Sequence, residues 1–282
     1  MEAPASSIFA LSDLWLTFAL FAVWWALARL FPTTNMGCSS STSTDYNSLG
    51  NVYRDQGKLN EAEKMYKRAL AQRQKTLGAE HTSTLDTVNN LGVIYCKQGK
   101  LDQAEQMYLH ALAGREKALG AHHNCTIETV GNLGIVYCLR GEPEKAELVF
   151  KQVLAVREET VGADHISTID ALHNLGNVYC AQARLGEAEQ MYKRALAGKE
   201  EKLGADHVST LDTVFNLANL YRGQGKSDQA DQMYKRALAG TGKSLGADHP
   251  STVEIVTNLM NMYCSQGRLD KARQVEQEWL RM

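Results

Sequence analysis

Apolar and small residues recur along most of the chain with a fixed period of 42 residues. One copy of the frame reads Leu91-Gly92, Tyr95, Gly99, Ala104, Tyr108 and Ala111. Its leucine returns in six copies without an insertion, at Leu49, Leu91, Leu133, Leu175, Leu217 and Leu259. A constant period of this length is typical of stacked-repeat proteins, in which each copy contributes one structural unit.

Each copy predicts two antiparallel helices. Apolar residues in the first half (Val88, Leu91, Tyr95) and in the second half follow the i, i+3, i+4 spacing of an amphipathic helix. The intervening Gln98-Gly99-Lys100 is a short turn. We call the two helices A and B, and place them near residues 83–97 and 101–119. A single hairpin cannot bury its apolar face, so the copies are expected to stack. The predicted fold class is therefore all-α, an α-solenoid forming a right-handed superhelix.

Polar residues mark the predicted helix ends. Ser83 and Asp86, with their counterparts in later copies, match the reciprocal capping arrangement of a helix start. Helix B closes with an apolar residue followed by glycine, as in Leu119-Gly120. One histidine also precedes each helix A after the first, and we assign these histidines to the loop or to a helix cap. They are His81, His123, His165, His207 and His249.

Leu91-Gly92-x-x-Tyr95 followed by Ala104-x-x-x-Tyr108-x-x-Ala111 resembles the tetratricopeptide repeat. The 42-residue period and the Leu-Gly-x-x-His-x-x-Thr motif resemble the kinesin-light-chain variety. The resemblance covers residues 43–282. It implies a non-catalytic scaffold in which helix A lines a concave groove that binds an extended peptide.

The resemblance places ten side chains in this groove: Asn47, Asn51, Asn89, Lys97, His173, Asn177, Phe215, Asn219, Arg222 and Asn261. Amides both donate and accept hydrogen bonds, so they suit a peptide backbone of any sequence. A second asparagine row directly precedes the repeat leucine, at Asn90, Asn132, Asn174, Asn216 and Asn258. For this second row, ligand binding and the linking of successive helices stay open alternatives.

The N-terminal part of the chain has a different composition. Residues 1–34 form one segment, in which residues 8–31 are almost wholly apolar, and residues 35–42 read as a Ser/Thr-rich linker. As a helix, 24 residues cover about 36 Å, enough to span a bilayer. Arg29 at its C-terminal side favours repeats that face the cytoplasm. A membrane anchor is the leading interpretation. A signal peptide, a cap on the first repeat and an incorrectly predicted first exon are the alternatives.

Met36-Gly37-Cys38 would form a myristoylation signal if translation began at Met36. As written, Gly37 is internal and cannot be acylated.

The sequence gives only weak signals for nucleic-acid, disulfide, metal or nucleotide-binding chemistry. The net charge of −2 gives no reason to expect nucleic acid as a partner. Equivalent cysteines on neighbouring copies are too far apart for disulfides, so reduced thiols are expected. The repeated histidines are too dispersed to bind one metal. Gly242-Lys243-Ser244 mimics a phosphate-binding loop but lacks the preceding strand. We expect no catalytic residues, no metal and no cofactor.

The sequence therefore predicts a scaffold for a protein or peptide ligand. The alternative is a membrane-tethered assembly unit that associates with itself or with another domain through the ends of the array.

Overall fold

The structure is a computed structural model, and it describes residues 45–281. Within this range the chain forms twelve helices and no strand. They are α1 Tyr46–Asp55, α2 Leu59–Leu77, α3 Thr82–Lys97, α4 Leu101–Leu119, α5 Asn124–Leu139, α6 Pro143–Thr160, α7 Ile166–Ala181, α8 Leu185–Leu203, α9 Val208–Gly223, α10 Ser227–Leu245, α11 Pro250–Ser265 and α12 Leu269–Trp279. Odd-numbered helices are the predicted A helices and even-numbered ones the B helices.

The described helices fall into two compact units, which divide between residues 149 and 150. In the first unit α1 packs on α2, α2 on α3, α3 on α4 and α4 on α5. In the second unit the same succession runs from α7 to α12. Each inner helix therefore contacts both its hairpin partner and the adjacent hairpin, which confirms the predicted all-α repeat architecture.

The Leu-Gly-x-x-His-x-x-Thr motif builds the turn from one hairpin to the next. In the turn before α5, Gly120 has a φ of 93°, which a residue with a Cβ rarely adopts. His123 is the N-cap of α5, and its Nδ1 accepts a hydrogen bond from the backbone N–H of Cys125 at 3.2 Å. The Thr126 hydroxyl donates to the Gly120 carbonyl at 2.9 Å. The histidine and the threonine of the motif thus each satisfy one backbone group of the turn.

This geometry confirms a capping role for the histidines and corrects the one predicted for the serines. His81 caps α3, and Ser83 lies inside the helix, where its N–H donates to His81 Nδ1 at 3.2 Å. The prediction that Ser83 and Asp86 cap each other is therefore wrong. Asp86 instead forms an ion pair with Arg115 on α4, at 2.5 Å.

Within a hairpin, the glycine after the repeat leucine lets a tyrosine ring approach the backbone of helix A. A Cβ added at Gly92 would lie 2.7 Å from Tyr108 Cε1, and one at Gly176 would lie 2.7 Å from Tyr192 Cε1. Both rings are buried. The small residue is therefore required for this packing.

The turn between helices A and B holds one residue in the left-handed region, and in the fourth copy that residue is not glycine. Gly99 and Gly225 occupy the position with φ values of 73° and 72°, whereas Ala183 has a φ of 58°. A Cβ disfavours this conformation by about 1–2 kcal/mol. Glycine avoids that cost, but its larger conformational entropy in the unfolded chain offsets part of the resulting stabilisation.

We expect Ala183→Gly to raise the free energy of unfolding by about 0.5–1 kcal/mol. The measurement is the urea midpoint, and Gly99→Ala, the reverse change at the matched turn, should lower stability by a similar amount. Equal stability of wild type and Ala183→Gly would show that this turn tolerates alanine without strain.

Candidate peptide-binding groove

Four of the ten predicted groove side chains are buried, and they connect helices. In the first unit these are Asn47 and Asn89, on α1 and α3, which are 6% and 5% exposed. Asn90 Nδ2 lies 3.5 Å from Asn47 Oδ1, and Asn132 Nδ2 lies 3.3 Å from Asn89 Oδ1. The second asparagine row therefore ties each A helix of this unit to the preceding one, as one of its two interpretations predicted.

In the second unit the equivalent link uses His173 on α7, which is fully buried. Its Nε2 lies 3.2 Å from Asn216 Nδ2, and its Nδ1 lies 3.0 Å from Thr213 Oγ1. The threonine hydroxyl itself donates to the Ser209 carbonyl, so Nδ1 carries the imidazole proton and Nε2 accepts. Burial lowers the pKa of His173 well below its usual value, so the ring is neutral at pH 7.

Phe215, the next predicted groove residue along this row, is 6% exposed. Its ring lies 6.0 Å from the ring of Tyr234, centroid to centroid. Asn258 therefore has no amide or imidazole to bind here, and its Oδ1 accepts from Arg222 Nη1 at 2.9 Å.

A different row of asparagines is less buried than the first. A tyrosine of helix B orients each of the first three asparagines in this row. Asn51 Oδ1 accepts from the Tyr66 hydroxyl at 2.6 Å. Asn177 Oδ1 accepts from the Tyr192 hydroxyl at 2.6 Å, and Asn219 Oδ1 accepts from that of Tyr234. In every case the tyrosine lies 15 residues after the asparagine.

These bonds fix the side-chain oxygen and leave the amide nitrogen as the group to be bound. In the second unit the row comprises Asn177 and Asn219, which are partly buried, and Asn261, which is exposed. We call these three residues the amide row. Asn177 Nδ2 has no hydrogen-bond partner and is shielded from solvent. An unsatisfied buried donor costs about 1–3 kcal/mol, so a ligand carbonyl that reached this nitrogen, once the side chains covering it had moved aside, would be stabilising.

The first unit offers less of this chemistry. After Asn51 the same position holds Val93 and Ile135, both buried. With no amide at position 93, the Tyr108 hydroxyl is buried without a hydrogen-bond partner. The Asn–Tyr pairing was not predicted from the sequence, although the shared 15-residue spacing was visible there.

Three cations lie in the last turns of A helices, and two of them, Lys97 and Arg222, were predicted for the groove. Arg222, in the second unit, is partly buried and bonded to Asn258. Lys97, in the first unit, is partly buried, and its pKa is lowered by burial and by the Arg54 guanidinium. Arg54 Nε lies 3.0 Å from Asp55 Oδ1. Ligand contact by any of the ten predicted residues remains a prediction.

A row of basic residues on helix B, not singled out by sequence reasoning, joins three successive helices. Arg115 Nη1 donates to the Cys125 carbonyl at 2.8 Å and to Thr129 Oγ1 at 2.6 Å, while Nη2 contacts Asp86. In the second unit Lys199 Nζ lies 3.1 Å from Asp170 Oδ1. The acidic residues near each helix-A start therefore act as ion-pair partners in these copies.

Other sites considered from the sequence have ordinary structural roles. Gly242, Lys243 and Ser244 lie in the last turn of α10, and the Ser244 hydroxyl donates to the Gly240 carbonyl at 2.8 Å. The five cysteines of the described range are free thiols. Burial raises the pKa of Cys96 and Cys138 to about 12. Residues 45–281 contain no group of three or more His, Cys, Asp or Glu side chains arranged to hold a metal.

No helix in residues 45–281 has both the length and the apolar character needed to cross a bilayer. The predicted anchor at residues 8–31 and the Met36-Gly37 motif lie outside the described residues.

The family model for the tetratricopeptide repeat matches residues 41–117, 83–159, 149–201, 167–243 and 213–282. The chain belongs to the tetratricopeptide repeat family. The overlapping matches run through all six copies of the 42-residue frame. No curated protein matches the chain.

Solved structures of similar fold include kinesin-light-chain-like repeats. A putative kinesin light chain with nearly identical repeats from Podosopora anserina is 25% identical, with 71% of this chain and 94% of that chain covered and a TM-score of 0.59. BtubC (BKLC) from P. vanneervenii is 20% identical, with 79% and 90% covered and a TM-score of 0.67. A Rap protein complexed with competence and sporulation factor is 15% identical, with 84% and 73% covered and a TM-score of 0.64. The latter two similarities establish the fold alone.

Proposed function

We propose that this tetratricopeptide repeat protein is a non-catalytic scaffold, and that its second unit binds an extended peptide segment through the amide row. The observation that carries the proposal is the tyrosine-held geometry of Asn177 and Asn219, whose oxygens are fixed at 2.6 and 2.5 Å from the hydroxyls. Preorganised side chains lose less entropy on binding than free ones.

The chemistry of the row suits a peptide main chain. Each amide nitrogen donates, and backbone carbonyls of an extended chain are acceptors whatever the side chains are. Three such groups on three successive A helices would contact the ligand repeatedly along its length. A solved Rap protein of this fold is complexed with competence and sporulation factor. Ligand binding by an array of this fold therefore has a precedent.

The test is a pull-down with the full chain, read by mass spectrometry, beside a variant carrying Asn177→Ala, Asn219→Ala and Asn261→Ala. Each lost hydrogen bond is worth about 0.5–1.5 kcal/mol. We therefore expect captured peptide partners to bind the variant about 10- to 1,000-fold more weakly.

A matched control separates binding from stability. Tyr192→Phe with Tyr234→Phe removes the same two internal hydrogen bonds but leaves the amides in place. Because its amides remain but are no longer held by the hydroxyls, it should bind more weakly than wild type and more tightly than the triple variant. Asn51→Ala, in the first unit, should also retain binding. If the triple variant keeps every partner of the wild type, the amide row is not the site.

A further inference from the structure

The first helix of the array presents an apolar edge that the equivalent helix of the next copy buries. On α1 this edge consists of Tyr46, Leu49, Val52 and Tyr53, which lie on one side of the helix at 100° per residue. Val52 is 49% exposed. The other three side chains are partly exposed.

The same four positions on α3 are Val88, Leu91, Ile94 and Tyr95, and none of them is more than 8% exposed. The residues at the position of Val52 are also buried in the second unit, where Val178, Leu220 and Met262 are at most 3% exposed. Helix α1 therefore carries apolar residues at positions that are buried in the later copies. Helix α3 has α2 in front of it, whereas no described helix precedes α1.

The chain itself carries apolar material immediately before α1. Residues 8–31 include Trp15, Trp24 and Trp25, three of the four tryptophans of the protein. A tryptophan buries about 150–250 Å² when it packs, so this segment offers a large apolar area.

Connectivity also permits the contact. Residues 32–44 provide 13 residues between the segment and Asp45, and an extended chain of that length reaches about 43–47 Å. Helix α1, with 10 residues, is about 15 Å long. A tether this short holds the segment at an effective concentration on the order of millimolar.

We propose that the apolar segment 8–31 of the same chain covers the exposed edge of α1 and closes the N-terminal end of the array. Intramolecular cover competes with the membrane for the same side chains, and with a second copy of the chain for the same edge.

The experiment is thiol labelling of full-length Val52→Cys with a maleimide in detergent-free buffer, quantified for each cysteine by peptide mass spectrometry. The native cysteines supply internal standards, because Cys264 is exposed and Cys96 is buried. We expect Cys introduced at position 52 to react at least 10-fold more slowly than Cys264, at a rate independent of protein concentration.

A second variant tests the identity of the cover. Adding Trp24→Asp and Trp25→Asp to Val52→Cys should raise the labelling rate at position 52 to that of Cys264, with Cys96 still protected. Three results would overturn the proposal. One is labelling at the rate of Cys264 in the parent variant. The second is protection that appears only as concentration rises, which would assign the edge to a second copy. The third is protection that survives the tryptophan substitutions.

Discussion

Replacing Arg115 with alanine is expected to lower the free energy of unfolding of the first unit by about 3 kcal/mol, the low end of the range for breaking a buried ion pair. The side chain is only 4% exposed and contacts two other helices at once. It reaches Asp86 on α3 as well as the Cys125 carbonyl and Thr129 on α5. Truncation would leave these acceptors without their donor and open a cavity. The low end applies because Asp86 is 35% exposed and regains water.

The matched control is Arg73→Ala, one repeat earlier. Arg73 makes the equivalent contacts, at 2.7 Å to the Ser83 carbonyl and 2.9 Å to Thr87 Oγ1. Its side chain is 23% exposed, and its carboxylate partner Asp45 lies 3.8 Å away. A loss of about 1 kcal/mol is expected, as for a partly solvated pair. Denaturant unfolding of both variants decides the matter: equal losses would mean that burial of Arg115 does not set its contribution.

The period of the sequence was enough to predict the fold, because helix pairing in a repeat array depends on residues that recur. Leucine, glycine and tyrosine positions such as Leu91, Gly92 and Tyr108 define which faces pack. The histidine position was also interpretable, since a polar residue before a helix has few structural roles. Assigning the cap to Ser83 failed because serine is a residue type preferred at the N-cap, and only the backbone path shows that the helix begins at Thr82 with His81 as its cap.

The groove was harder to predict, because an inward position on helix A is not necessarily accessible. Asn89 and His173 occupy one repeat position, and both are buried links between helices. Asn261 occupies another and is exposed. Exposure depends on the size of the neighbouring side chains and on which amides pair, and neither follows from one residue alone. The sequence shows that one repeat position holds asparagine at 177 and valine at 93. That the valine leaves a tyrosine hydroxyl without a hydrogen-bond partner could be seen only in the structure.

The stability of the second unit is expected to fall on acidification through the titration of His173. Unfolded histidine has a pKa of about 6.5. In the folded unit that pKa is well below this, because burial and the positive charge of Lys199 disfavour the imidazolium ion. The unfolded chain therefore binds the extra proton first. The stabilisation is complete above about pH 7 and is lost as the pH falls toward the folded pKa, by about 1.4 kcal/mol per unit within that window.

His173→Asn isolates this contribution, since asparagine occupies the same repeat position at Asn47 and Asn89. The groups that face the ring are Thr213 and Asn216, the Tyr192 ring at 5.6 Å, the Lys199 amine and the Asp212 carboxylate, whose Oδ2 lies 3.5 Å from Nε2. Asp212 favours the protonated ring and so acts against burial and Lys199. Urea midpoints from pH 5 to 8 should fall more steeply on acidification for wild type than for His173→Asn. Parallel pH profiles would mean that Asp212 offsets the cost of burying the charged ring, and that the neutral link to Asn216 is not what stabilises this pair of helices.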